Sequence, residues 1–447
     1  MTRFGLAGNH LPTGWQTTSA RHLFRREKRT GFPDEQLLSV YRDYGVIRKD
    51  SRDDNFNKAS EDLASYQLVE PNDLVINKMK AWQGSVGISE HRGIVSPAYF
   101  VAKPTTNFFR RYVHYLLRCS DYLIEYQTRS SGIRVNQWDL DWDDFRDIPI
   151  ALPPLAQQTR IANFLDEQTA RIDALIAEKE RLDALLGEYR GSLISAAVTG
   201  QLDPTTGEAP RRAQGGGGGV SKVVFSRKLP ANWSRMRLRH IARFVSGGTP
   251  SKDNGAFWQG QIPWFSPKDF SSRVLVDSED HISPEAVEVS ATTMLTAGTP
   301  VFVVRSGILR HTIPIALLGV NGCINQDVKG VLLKENLEAR YFVYVVEGFQ
   351  AELIDEWTKQ GATVESIEQQ FVSNTYFPIP SSQEQTRIAN FLDERTAQID
   401  DLRSHCREHI SLLREYRSSL ISAAVTGQLD IDNFGRQVGG GRAEAWA

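Results

Sequence analysis

The chain has 447 residues, 40% of them apolar and 24% charged, with 52 Lys and Arg against 54 Asp and Glu. That length exceeds what one hydrophobic core organises, so two or three domains are expected, and the composition is that of a folded rather than a disordered chain. A net charge of −2 argues against a wholesale polyanion binder, and three scattered cysteines without a CxxC pair exclude a disulfide framework or a Cys-based zinc site.

The first stretch, MTRFGLAGNHLPTGW, has no apolar signal core, and no run approaches the roughly 18 apolar residues that cross a bilayer. A cytoplasmic protein without membrane contact is expected. Residues 1–138 hold 20 Lys and Arg against 14 Asp and Glu, an excess of 6, before DLDWDDFRD at 139–147 reverses the sign. Such a basic head suits a polyanion on one face, and solvated surface charge explains it equally well. Short β-prone runs such as DLVINKM alternate with Gly, Pro and Asn turns, and the helical stretch FFRRYVHYLLRCSDYLIEYQ follows. Residues 1–152 therefore read as one mixed α/β head.

Residues 158–203 align without a gap to 385–430 at an offset of 227, with 32 of 46 positions identical. QTRIANFLDE and SLISAAVTGQLD are the unchanged ends, and the middle has diverged. Apolar residues recur at steps of three and four, the spacing of an amphipathic helix. They are Ile161, Leu165, Ile172, Leu175, Leu182, Leu186, Tyr189 and Leu193, then Ile388, Leu392, Ile399, Leu402, Cys406, Ile410, Leu413, Tyr416 and Leu420. Pro153 and Pro154 precede the first helix, Ser381 with Glu384 offers a capping box to the second, and Gly200 and Gly427 are C-terminal stops. Residues 153–203 and 381–430 are thus two long helices. At about 1.5 Å per residue, forty residues span roughly 60 Å, the length of a strut.

Between the copies, residues 204–220 are a Gly-rich flexible linker. Residues 221–380 form a second head, opening on LPANW as the first opens on LPTGW and carrying GTPVFVVRSGI and ARYFVYVVEGFQAELIDEW. Residues 431–447 read as a tail. The expected fold class is α+β: two mixed α/β heads separated by two long helices, packed as an antiparallel coiled coil with pseudo-two-fold symmetry and holding the heads at opposite ends. An ordinary helical hairpin without a spacing role is the plainer alternative.

The order LPxxW, variable head, QTRIANFLDE, SLISAAVTGQLD, then the same again, resembles the specificity subunit of Type I restriction-modification systems over nearly the whole chain. DLVINKMKAWQGSVGISEHRGIVSPAYFV (73–101), GGTPSKDNGAFWQGQIPWFSPKDF (247–270) and INQDVKG (324–330) look like the family's target-recognition sequence. The resemblance implies that each head recognises one half of a bipartite sequence in double-stranded DNA and that the helices fix the unread gap. It also implies that the helices dock two methyltransferase subunits, so that one partner met twice demands two matching surfaces, and that motor-nuclease subunits join for cleavage. Adenosylmethionine would then sit on the methyltransferase, ATP and Mg on the motor-nuclease, and no cofactor on this chain.

On that reading Arg or Lys suits guanine, Asn or Gln suits adenine, and Lys, Arg, Ser and Thr hold phosphates. In the first head the candidates are Asn77, Lys78, Lys80, Trp82, Ser85 and Ser96, although Trp82 equally suits a core. In the second they are Thr249, Ser251, Lys252, Lys268, Arg305, Arg310, Asn325, Gln326 and Lys329. The run RHLFRREKR (21–29) is either a phosphate grip or a solvated face. No NPPY-like motif, phosphate-binding loop or nucleophile elbow occurs, and neither the His405/His409 pair nor DLDWDDFRD forms a metal motif, so no catalytic residue is expected. The alternative function is a coiled-coil scaffold whose heads bind protein.

Overall fold

The computed structural model describes residues 11–42, 44–51, 60, 62–134, 137–207, 229–358 and 365–435. Most of the linker expected over 204–220 and of the tail expected over 431–447 lies outside the described residues. The chain divides into two units, Met1–Glu180 with Glu408–Ala447, and Arg181–Arg407. Both divisions fall inside the long helices, Leu155–Val198 and Ser382–Val425, of 44 residues each, or about 66 Å. Each unit is therefore a head plus the start of one helix and the end of the other.

In the first unit, strand Gln16–Ser19 pairs antiparallel with Pro149–Leu152, in register from Gln16↔Leu152 to Ser19↔Pro149. The head is thus closed where it hands the chain to the helix. A four-stranded antiparallel sheet runs in the order Phe24–Arg26, Tyr99–Pro104, Leu74–Asn77, Val86–Ile88. Successive side chains of a strand point to opposite faces, and here both faces are covered. Val75 and Val101 join Leu38, Val40, Val46, Val69 and Val95 on one side. Leu74, Ile76 and Ala102 face the helical layer that includes Arg110–Leu116 and Ser120–Arg129 on the other.

The second unit repeats this plan with little shared sequence. Ser234–Arg237 pairs antiparallel with Tyr376–Ile379. A five-stranded sheet runs Ala242–Ser246, Val328–Leu333, Pro300–Val303, Ile315–Leu318, Val274–Leu275, with only the last pairing parallel. Val301, Val303 and Ala316 bury against Phe265, Leu275 and Leu295, whereas Phe302, Ile315 and Leu317 face helices Ala339–Gly348 and Gln350–Trp357.

Each head grips its own helix through the same polar set. Gln158, buried, accepts from Phe109 N at 2.7 Å and donates to Pro153 O at 2.8 Å. Its counterpart Gln385 accepts from Glu338 N at 2.8 Å and donates to Asn336 O and Pro380 O at 2.9 and 3.0 Å. Arg111 and Tyr115 hold Asn163 and Asp166; Arg340 and Tyr344 hold Asn390 and Asp393 in the same way. The shared signal, RYxxY at 111–115 and 340–344, was present in the sequence and passed over.

The other end of each helix is also seated in a head. Gly427 (φ +76°) ends the second helix against Pro12 and Trp15, and Gly200 (φ +68°) ends the first against Pro230 and Trp233. In both, a Cβ would collide with the proline, and the left-handed backbone already favours glycine. The predicted C-terminal stops are observed, and LPxxW proves to be their receptor. Of the predicted capping box at Ser381 only one half forms: Ser381 Oγ accepts from Glu384 N at 3.3 Å, while the Glu384 carboxylate takes Asn232 Nδ2 instead.

Between the seated ends the helices pair through charge. In the first unit Arg417 reaches Asp173 at 2.8 Å and Arg414 reaches Glu180 at 2.8 Å. In the second, Asp183 receives Arg403 at 2.8 Å and Arg407 at 3.3 Å, and Arg190 meets Asp400 at 3.0 Å. Numbers rise along one helix as they fall along the other, so the paired segments run antiparallel in each unit. The apolar seam is narrower than the sequence pattern predicts. Ile172, Ile399, Cys406 and Ile410 are buried, whereas Leu175, Leu182, Tyr189, Leu402 and Tyr416 are exposed. Two helices in contact cover only a narrow stripe of each, and a list of i+3 and i+4 steps spans more than that.

Two predictions follow from this packing. Gln385→Ala strands the Glu338 amide and two carbonyls in a buried position, and should cost about 1–3 kcal/mol in chemical denaturation. His114 is buried beneath Gly45 with Arg118 beside it, and burial first, then the Arg118 charge, lowers its imidazole to about 3. A base whose folded value is depressed protonates first in the unfolded chain. Its contribution is therefore intact above pH 6.5 and is lost as pH falls from 6.5 toward 3; His114→Gln should flatten that part of the stability profile measured by urea melts.

Candidate nucleic-acid interface

In the first head five of the six candidates lie in one turn. Strand Leu74–Asn77 runs into a 3-10 turn at Ala81–Gln83. Asn77 Oδ1 accepts from Met79 N at 3.2 Å, so its side chain shapes the turn. Lys78 is half-buried and lies 3.9 Å from Asp139, while Lys80 is exposed and makes no side-chain hydrogen bond or ion pair among the described residues. Trp82 is half-buried. Its ring tilts on Trp138 at 5.1 Å between centroids and its Nε1 donates to Met79 O at 3.1 Å, so it braces the turn from the side. Ser85 is buried. Ser96 lies in the neighbouring turn, brought close because Lys78 N donates to Ala98 O, and its Oγ accepts from Ala98 N.

In the second head the candidates divide. Thr249 donates to Gln326 Oε1, and Val304 N donates to Asp327 O at 2.8 Å, which joins the loops of Thr249, Arg305, Asn325 and Gln326. Arg305 is exposed, and its guanidinium has no partner among the described residues. Asn325 is buried and spends its side chain on Asp327. Lys329 is partly buried against Ser246 and Gln369, and burial lowers the pKa of its ammonium. Arg310 is exposed but bonded to Glu365 at 2.6 Å. Lys268 is held by Asp280 and Glu279 at 2.9 Å each, which raises its pKa and offsets its positive charge with theirs. Ser251 and Lys252 are exposed in their own turn, with Ser251 Oγ accepting from Asp253 N.

The RHLFRREKR run separates in the same manner. Arg21 pairs with Asp147, Arg26 lies 4.4 Å over the Phe100 ring and Arg29 bridges Glu70 and Asp73. Arg25 and Lys28 are left exposed with neither a polar partner nor a ring contact among the described residues. The acidic strip at 139–147 is largely consumed internally, by Lys78–Asp139, Arg146–Asp143 and Arg21–Asp147. Arg42 and Arg243 are exposed cations without a side-chain partner among the described residues, and the sequence reading missed them; nothing but their charge marked them. Among the described residues no cluster of metal-ligating side chains occurs, and no helix is long and apolar enough to cross a membrane.

A repeated head of one plan, each clamped to the start of one repeated helix and the end of the other, defines a duplicated two-domain protein. Residues 12–183 and 230–410 match the Type I restriction modification DNA specificity domain, so the chain belongs to that family and carries its domain twice. It is similar to the Type I restriction enzyme EcoR124I/EcoR124II specificity subunit of Escherichia coli, 31% identical over 271 residues, 59% of either chain. The MjaIX specificity subunit of Methanocaldococcus jannaschii is 24% identical over 197 residues, 42% of either chain. The chain therefore matches about half the length of these relatives. The fold also resembles a chain solved for the complex assembly and conformational transition of the type I R-M system, with a TM-score of 0.65 and 17% identity over 94% of this chain and all of the other.

The free guanidinium and the carboxylate-held ammonium make different predictions. Arg305→Ala should weaken retention of a target duplex by ~1–3 kcal/mol or relax one base position. Lys268→Ala should change affinity and its dependence on NaCl less than Arg305→Ala in the same filter-binding assay, since its charge is already shared with Glu279 and Asp280.

Proposed function

We propose that this chain is the DNA sequence-recognition subunit of a Type I restriction-modification complex. Each head, residues 1–152 and 221–380, reads one half of a bipartite duplex target, and the two long helices set the unread gap. The observation that carries the reading is the duplication itself: two copies of a DNA-specificity domain share one frame and differ in the side chains of their equivalent turns. Base edges are told apart by side-chain chemistry, while phosphates take any cation, so a constant frame with unlike turns suits two different half-sites. The family match favours this over a protein-binding scaffold.

The chain acts without catalysis and without its own cofactor, in the cytoplasm; methylation belongs to two methyltransferase partners holding adenosylmethionine, and cleavage to ATP- and Mg-dependent motor-nuclease subunits. Docking of one partner twice is supported by an exposed apolar set at equivalent positions of both helices. Leu175 and Leu402, Leu185 and Leu412, and Tyr189 and Tyr416 are each between 44% and 58% exposed. Solvent-facing leucine and tyrosine at helical spacing suit a protein interface.

Replacing residues 1–152 with another head of the family should change one half of the recognised sequence and preserve the other half and the gap. Sequencing of modified adenines in cells carrying the hybrid checks this, and a change in both halves would refute independent heads.

A further inference from the structure

The candidate turn of the first head has a twin in the second. Lys78 N donates to Ala98 O and Leu140 N to Lys78 O; Val304 N donates to Asp327 O and Ile367 N to Val304 O. In both heads the strand thus leaves between the same two neighbouring loops and enters a single 3-10 turn, Ala81–Gln83 or Gly307–Arg310. One large apolar side chain is displayed to solvent at each place, Met79 on the approach to the first turn and Ile308 within the second. Met79 is 53% exposed and Ile308 is 46% exposed, and neither belongs to a core cluster of the described residues.

The backbone beneath each tip is fixed. Met79 N donates to Asn77 Oδ1, Lys80 N to Asn77 O at 3.0 Å, and Trp82 Nε1 to Met79 O. Ile308 N donates to Ser306 Oγ at 3.4 Å, Leu309 N to Ser306 O at 3.1 Å and His311 N to Ile308 O at 3.0 Å. Cations flank both tips: Lys78, near Asp139, and the free Lys80 beside Met79, then the free Arg305 and the Glu365-bound Arg310 beside Ile308. An apolar side chain held in water on a rigid turn gains no burial within its own head. Beside a cation without a carboxylate partner, Lys80 in one head and Arg305 in the other, it would come to rest on base edges. The one apolar group that the major groove offers is the C5-methyl of thymine.

We propose that Met79 and Ile308 are apolar base contacts, each meeting a thymine methyl in its head's half-site while Lys80 and Arg305 beside them hold phosphates. This rests on the reading of the chain as a DNA-recognition subunit. The test uses the full chain assembled with its methyltransferase partner, and selects bound duplexes from a randomised pool for wild type, Met79→Ala and Ile308→Ala. Each variant should lose a thymine preference at one position of one half only, and its affinity for the wild-type duplex should fall about five-fold or more. Deoxyuridine at that position should weaken wild type to the same extent and leave the variant unaffected. Both side chains are exposed, so thermal melting should be unchanged, and Met79→Leu and Ile308→Leu should keep the preference. Unchanged selection by the alanine variants, or indifference of wild type to deoxyuridine, would overturn the proposal with the DNA reading intact. Failure of the wild-type complex to select any bipartite sequence would remove the reading itself and the proposal with it.

Discussion

The buried amide of Gln158, and of Gln385 in the second copy, is the contact on which the architecture depends. A glutamine side chain closed off from water must satisfy both its donor and its acceptor. Here it does so by capping the start of one head helix and the strand-to-helix corner of the same head. That fixes the angle at which a 44-residue helix leaves its head. The Arg–Tyr pair gripping Asp166 or Asp393 extends the same joint by two turns. Every residue of the joint on the helix side lies in the unchanged opening of the repeat or, like Thr169 and Thr396, just beyond it.

This gives the repeated ends a cause internal to the chain. SLISAAVTGQLD supplies Ile194, Ala197 and Val198 to the core of one unit and Ile421, Ala424 and Val425 to the core of the other. Heads that differ widely on the outside still present the same receptor, the proline and tryptophan of LPxxW, to those ends. Identity is therefore required by packing, before any partner is considered. The diverged middle obeys a different rule. Apart from the buried Cys406 and Ile410, the contacts named across it are exposed or half-exposed charge pairs, each worth little alone. Asp173 with Arg417 and Asp400 with Arg190 are one pair displaced by 227 residues, with the two helices exchanging roles.

The frame was legible in the sequence because it is periodic or duplicated: the long helices, their glycine stops, and two mixed heads opening on LPxxW. The equivalence of the heads was not, since strands a few residues long leave no pattern beyond scattered β-prone runs. RYxxY was the available clue. Among the candidate contacts, residue type was a poor guide to availability. Lys268 and Asn325 carry suitable chemistry, but Glu279, Asp280 and Asp327 occupy it. Those acids are near in sequence, and a local charge count shows them without showing which cation they take.

A net charge near zero is then compatible with nucleic-acid recognition. Among the described residues the heads pair many of their cations internally and leave others without a side-chain partner, Lys80 and Arg305 among them. Long-range attraction to phosphate falls with total charge, whereas discrimination depends on the few groups that meet base edges. A neutral frame with sparse free cations weakens indiscriminate binding without weakening readout. It also makes each apolar or hydrogen-bonding group at the turn count for more of the total, which is the condition under which one methyl on a base can be felt.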